Sequence, residues 1–296
     1  MRDQDAVVPS DSLPDGLSGV PGYLMSVQRE TRPEAKLVAV DIDGTLLTWG
    51  GKLYRSAERA IRRLIAHPDV ELVLATGRSA LSAAGVARRI GLTDGWAVCA
   101  NGSVTIRLAP QLPDGWAVAD LVTFDPGPAI RAIRQGFPQA RLAAEDLRRG
   151  FMVTAAFPPG ELDGLITVVS DDELAAQPVT RLVLRETELD PLAVGVIVEQ
   201  LGLADVNYAV GWTGWVDFNP PGISKASALE TLRTHLGIAP GQTVAIGDGS
   251  NDISMLRWAA HGVAMGGSLP DVIAAADHVT APIGRRGLAR VLDALG

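Results

Sequence analysis

The chain has 296 residues, 47% of them apolar and 20% charged, and 26 basic residues against 34 acidic ones give a net charge of −8. This usage excludes wholesale disorder, and the acidic balance argues against a protein that coats nucleic acid. No run of about 18 uncharged apolar residues is present to span a membrane. The single cysteine, Cys99, and four scattered histidines exclude a disulfide framework and a Cys/His zinc site.

Residues 1–34 mix Pro, Gly, Ser and Asp without an apolar period and are expected to form a flexible extension. They lack the charged start and continuous apolar stretch of a secretory signal, so a cytoplasmic location is the default expectation. Leu37–Val40 then reads as a buried strand ending at Asp41, Ser56–His67 as a helix and Val70–Ala75 as a second strand. A helix over Ser79–Ile90 is closed by Gly91. Strand alternating with helix predicts a parallel sheet with right-handed crossovers. The same grammar returns later, with helices over Ser224–Leu236, Asn251–Ala260 and Arg285–Leu295 and strands over Thr243–Ile246 and Val263–Met265. The two stretches are expected to share one sheet.

Between them the rhythm changes. Strands are predicted at Trp116–Phe124, Ala140–Ala144, Phe151–Ala156 and Val179–Arg185, and helices at Pro128–Gly136, Leu162–Val169 and Pro191–Leu201. Arg148-Arg149-Gly150 suggests the solvated turn of an antiparallel hairpin. The organisation expected is a domain of residues 35–106 and 222–296, interrupted by an inserted α/β module over 107–221.

The reactive residue types gather at predicted strand ends, where open α/β sheets bind ligands. Asp41-Ile42-Asp43-Gly44-Thr45 follows the first strand: two carboxylates at i and i+2 can share a side, and Gly44 lets the backbone turn so that amides approach an anion. Taken alone, the string also reads as acidic turn residues leaving a strand. Thr76-Gly77-Arg78 follows the second strand and opens a helix, where a hydroxyl and free amides favour an anion. Gly247-Asp248-Gly249-Ser250-Asn251-Asp252 follows another strand with two carboxylates and a carboxamide on a flexible loop. Lys225 is one of only three lysines and lies near the start of its helix, an electrostatically poor place for a cation. Arg78 either touches a substrate or braces its loop, and Asn101 either approaches a phosphate or leaving group or serves a turn. Trp212 and Trp215 either stack on a substrate or pack between modules, whereas Cys99 reads as a small buried hydrophobe.

These four strings, in this order, resemble the haloacid dehalogenase superfamily of phosphohydrolases. The long insertion between Arg78 and Lys225, together with Gly247–Leu256, is similar to its Cof-like branch, which carries a large α/β cap. Cys99-Ala100-Asn101-Gly102-Ser103, Pro178-Val179-Thr180-Arg181-Leu182, Trp215-Val216-Asp217-Phe218 and Gly222-Ile223-Ser224-Lys225 extend the resemblance over about residues 36–296. It implies a Rossmann-like parallel-sheet core with an inserted α/β cap. It also implies Mg2+-dependent hydrolysis of a small phosphate monoester, such as a sugar phosphate or related metabolite, through an aspartyl-phosphate.

In that scheme Asp41 is the nucleophile and Asp43 the acid and base. Asp41, the Asp43 carbonyl and Asp248 hold the metal, and Asn251 and Asp252 orient that shell. Gly44, Thr76, Gly77 and Asn101 meet the substrate, and Lys225 counters the charge of phosphate and nucleophile. Two departures stand out: Ala226 follows the lysine where the family often has glycine, and Pro221-Gly222 replaces a common Lys-Gly pair. A phosphotransferase or phosphomutase would use the same residues, and a non-catalytic phosphometabolite-binding regulator would keep the fold. Retention of Asp41, Asp43 and Lys225 argues against the latter, and the missing GxxxxGK[ST] loop leaves ATP hydrolysis of that type unsupported. The sequence names no particular ester and no oligomeric state.

Overall fold

The computed structural model describes residues 34–201, 207–210 and 214–295. The chain begins β1 (Leu37–Val40), α1 (Arg55–Ile65), β2 (Glu71–Ala75), α2 (Ala80–Ile90), β3 (Gly95–Cys99), β4 (Val104–Leu108) and β5 (Trp116–Leu121). A second run follows: α3 (Gly127–Gly136), β6 (Arg141–Asp146), β7 (Gly150–Val153), β8 (Leu165–Val168), α4 (Asp171–Leu174), β9 (Leu182–Arg185), α5 (Pro191–Gln200), β10 (Asn207–Val210) and β11 (Trp215–Asn219). The chain then returns through α6 (Lys225–His235), β12 (Thr243–Gly247), α7 (Ile253–Trp258), β13 (His261–Ala264), α8 (Pro270–Ala274), β14 (His278–Val279) and α9 (Gly287–Leu295).

Two sheets result. The larger has the order β14-β13-β12-β1-β2-β3-β4-β5, parallel from β14 to β3 and antiparallel beyond. Every residue of β1 is buried, because alternation sends its side chains to two covered faces. Val38 and Val40 pack under α1, α2 and α9, and Leu37 and Ala39 under α6, α7 and α8. The sheet grows from β1 towards β2 in one direction and towards β12 in the other. The carboxyl ends of β1 and β12 therefore flank the crevice where such sheets place their ligands. The smaller sheet has the order β10-β11-β9-β6-β7-β8, with α3 and α5 packed on one face.

Local chemistry explains the helix starts near that crevice. Ser79 caps α2 by accepting from the Ser82 amide, and Gly91 closes the helix with a left-handed φ of 87°. Ser224 and Ser227 cap the start of α6 reciprocally, which fixes Lys225 as its first residue.

Several sequence expectations need correction. The boundary expected at residue 107 falls inside β4. Leu108 pairs with Trp116 and Trp116 is buried in the main core, so β5 belongs to the larger sheet and the second sheet starts beyond Leu121. The helix expected over Leu162–Val169 is strand β8: Gly164 turns the chain at φ +79°, and Ile166-Thr167-Val168 are β-branched and pair in parallel with β7. The helix expected from Asn251 begins as a 3-10 turn over Ser250–Asp252, and β10 is a strand that is not among those expected. The hairpin at Arg148-Arg149-Gly150 is present, with β6 and β7 antiparallel. Arg148 is not simply solvated, since its guanidinium lies 4.4 Å from the Trp116 ring centre and donates to the Trp116 carbonyl. Residues 1–33 and Trp212 lie outside the described residues. No described helix is long and apolar enough to cross a membrane.

Candidate active site

Asp41 leaves β1 with its amide bonded to the Ile246 carbonyl of β12, so the strand ladder itself points the carboxylate into the crevice. Lys225 arrives from the start of α6, fully buried, with Nζ 2.7 Å from Asp41 Oδ1 and 2.6 Å from Asp252 Oδ1. The other oxygen of Asp252 accepts from the amides of Asp248 and Gly249, both at 2.9 Å. Asp252 thus engages both oxygens with protein donors and braces the acidic loop. Asp248 is held by the Thr45 hydroxyl at 2.9 Å, a contact the sequence reading did not assign although Thr45 stood in the first acidic string. Gly44 is required between them: its φ is +92°, and a Cβ there would lie 2.0 Å from Asp248 Oδ2.

Carboxylate oxygens of Asp41, Asp248 and Asp252 lie within 4.8 Å of one another. Three carboxylates around one ammonium leave an excess of two negative charges if all are ionised, and the groups respond accordingly. Burial pushes the Asp41 carboxyl well above its ordinary value, with the charge of Asp252 adding to the effect and Lys225 opposing it. Burial, then Asp252, pushes Asp248 up to about 6. Burial disfavours the Lys225 ammonium, but Asp252 and Asp41 outweigh it and keep the group charged. An oxygen-only donor set with surplus negative charge fits a hard divalent cation.

Asp43 lies beside this cluster, gripped by Arg78 through two parallel bonds, Nε to Oδ2 at 2.7 Å and Nη2 to Oδ1 at 2.6 Å. Arg78 therefore braces, as one of the two sequence readings had it, but the group it holds is Asp43. Thr76 is buried, and its hydroxyl accepts from the Arg78 amide at 3.1 Å. The Gly77 amide has no hydrogen-bond partner among the described residues.

Asn101 is buried with φ +54°, next to Ala100 at φ +47°. Its Oδ1 accepts from Asn251 at 3.0 Å and its Nδ2 donates to Asn219 of β11 at 3.3 Å, so it ties the acidic loop to the second sheet. Asn219 was not anticipated, and nothing in its sequence context distinguishes it. Trp215 packs edge-on to Phe157, 6.0 Å between ring centres, within a small cluster of the second sheet. Cys99 is a buried free thiol inside the core. A cavity of about 950 Å³ opens at Gly44 and Asp248 and is walled by Trp49, Leu192, Val196 and Leu269.

A doubly covered parallel sheet with acidic groups, a buried lysine and the unbonded Gly77 amide beyond its strand ends has the layout of an α/β enzyme whose ligands bind at the switch point. The pattern described as haloacid dehalogenase-like hydrolase matches residues 38–111 and 166–292, and the chain belongs to that family, in its Cof-like branch, as a phosphatase. It is similar to an HMP-PP phosphatase of Citrobacter koseri, 27% identical over 252 residues, covering 83% of this chain and 89% of the relative. A 5-amino-6-(5-phospho-D-ribitylamino)uracil phosphatase of Bacillus subtilis is 27% identical over 269 residues, covering 86% and 93%. A solved phosphatase of this superfamily from Bacteroides thetaiotaomicron superimposes with a TM-score of 0.70 at 25% identity, covering 94% of this chain and 99% of its own.

Proposed function

We propose that the chain hydrolyses small phosphate monoesters, of sugars or related metabolites, with Mg2+ through a phosphorylated Asp41. The observation that carries this reading is the buried ammonium of Lys225 shared between Asp41 and Asp252 beside Asp248. Lys225 holds Asp41 Oδ1 and leaves Oδ2 to attack phosphorus in line, forming the acyl-phosphate bond as the ester P–O bond breaks. Asp43 gives its proton to the departing alcohol and takes one from the water that attacks phosphorus in the second step, releasing phosphate and restoring Asp41. To do so Asp43 leaves the fork of Arg78. The Thr76 hydroxyl and the Gly77 amide receive the phosphoryl oxygens.

Charge decides why a cation is needed. Two unit charges 4 Å apart interact by about 4 kcal/mol at an effective dielectric near 20, so a carboxylate meeting a phosphate dianion faces roughly twice that. Asp41, Asp248 and the Asp43 carbonyl are the groups that would hold Mg2+, and the bound ion supplies positive charge against this repulsion. Lys225 supplies the rest.

The test is phosphate release from an aryl phosphate with Mg2+ and after chelation. Release that stops on chelation and returns with Mg2+ is expected; turnover unaffected by exhaustive chelation contradicts the metal assignment. Because Asp248 ionises near pH 6 without a metal, ion binding displaces its proton in acid. The Mg2+ concentration for half-maximal activity should therefore rise as the pH falls through that value, and a flat requirement would count against Asp248 as a ligand.

A further inference from the structure

One buried cluster joins the second sheet to the phosphate-binding turn, and the chemistry above makes no use of it. Arg181 at the head of β9, Glu145 of β6 and Asp217 of β11 come from neighbouring strands, with side chains 5%, 2% and 14% exposed. Arg181 Nη1 donates to the Gly77 carbonyl at 2.5 Å. Glu145 Oε1 accepts from the Ala80 amide, at the start of α2, at 2.9 Å. These two contacts hold the segment that carries Thr76, Gly77 and Arg78 at Gly77 and again just beyond it, at Ala80.

The rest of that segment is held by the larger sheet. The Thr76 amide donates to the Val98 carbonyl, the Thr76 carbonyl accepts from Asn101, and the Arg78 carbonyl accepts from Ala100. The Gly77 carbonyl is held instead by Arg181. The geometry inside the cluster shows where its bonding capacity has gone. Arg181 Nε and Glu145 Oε2 face each other at 3.8 Å, and both are buried without a hydrogen-bond partner. An ion pair present only to tie the second sheet together would close into a fork like that of the partly exposed Arg134 and Asp171, at 2.7 and 2.8 Å. Here the two side chains leave their mutual bond unmade and meet the turn.

We infer that Arg181 is a positioning residue for phosphate binding: with Glu145 it clamps the turn in the geometry that offers the Thr76 hydroxyl and the free Gly77 amide to phosphoryl oxygens. This rests on the function proposed above. Its consequence is linkage. The turn binds phosphate well only while the second sheet is seated on it, and bound phosphate in turn favours that seating.

The experiment measures KM for an aryl phosphate, kcat, and the inhibition constant of inorganic phosphate on the full chain with Mg2+. Arg181→Ala is expected to raise KM and the phosphate inhibition constant by about tenfold or more. Arg134→Ala, whose bonds go to Asp171, Pro138, Ala140 and Thr154 and not to the turn, should lower the melting temperature and leave both constants unchanged. Should Arg181→Ala not fold, Arg181→Lys carries the test, since it keeps a buried cation opposite Glu145 and Asp217. One shorter ammonium cannot serve the Gly77 carbonyl and both carboxylates together, so the inhibition constant should rise at least about threefold. A folded Arg181 variant whose KM and phosphate inhibition stay within about twofold of the parent overturns the inference. A parent chain that neither releases phosphate nor is inhibited by it removes the functional proposal instead, whereas an active parent indifferent to position 181 removes only this one.

Discussion

Asp41→Asn is expected to lower aryl phosphate turnover by about four orders of magnitude or more, as loss of a covalent nucleophile does when no neighbour can replace it. No neighbour is placed to do so. Asp252 is fully buried with both oxygens engaged by protein donors, and in the proposed chemistry Asp248 is taken up by the metal and Asp43 by proton transfer. The fold should survive the change. Burial and the charges of Asp252 and Asp248 already disfavour an ionised Asp41, so a neutral amide there relieves repulsion. Without metal the variant should melt no lower than the parent. A large drop in melting temperature would mean that lost activity reports unfolding. Residual turnover within about tenfold of the parent would remove Asp41 from the chemistry.

Lys225→Met should be the most damaging single change to the folded state. It removes the one ammonium bonded to Asp41 and Asp252 and leaves carboxylates buried and uncompensated, for which about 3–5 kcal/mol of lost stability is expected. The loss should depend on pH with a definite sign. Without the ammonium the folded-state value of Asp41, already raised, rises further, and a raised carboxyl contributes stability that is lost as pH increases. The gap in melting temperature between variant and parent should therefore narrow as the pH is lowered from about 8 towards 5. Adding Asp41→Asn to Lys225→Met should recover part of the loss, since one of the facing charges is then gone. A gap that widens in acid, or a double variant that merely sums the two single effects, would contradict this electrostatic account.

How far the sequence reaches follows from where its signals are local. Asp41, Thr76 and Asp248 each directly follow a short apolar strand, so position in a parallel sheet places them together once β1, β2 and β12 are recognised as neighbours. Lys225 stood out through scarcity and through an unfavourable helix position, and its two carboxylate partners supply the compensation that position demands. The contacts that cross between the sheets were not legible in the same way. Arg181 stands in one of the strings that carry the resemblance and Glu145 and Asn219 in strands, but none of them announces a role, because their roles depend on a docking geometry that no periodicity encodes. Arg78 illustrates the intermediate case: bracing was one of two readings, but only the folded chain shows that Asp43 is what it grips. The fold errors share a cause as well. Leu162–Val169 carries apolar residues that suit either period, and the turn at Gly164 and pairing with β7 decide for a strand.

The most direct measurement is a single turnover with excess enzyme, Mg2+ and phosphorus-labelled ester, quenched in acid and followed by borohydride reduction and peptide mapping. Label on one peptide after the quench, and conversion of Asp41 alone to homoserine after reduction, are expected. Phosphate released at the normal rate with no labelled peptide at any time, or label carried by a residue other than Asp41, would contradict a phosphorylated Asp41.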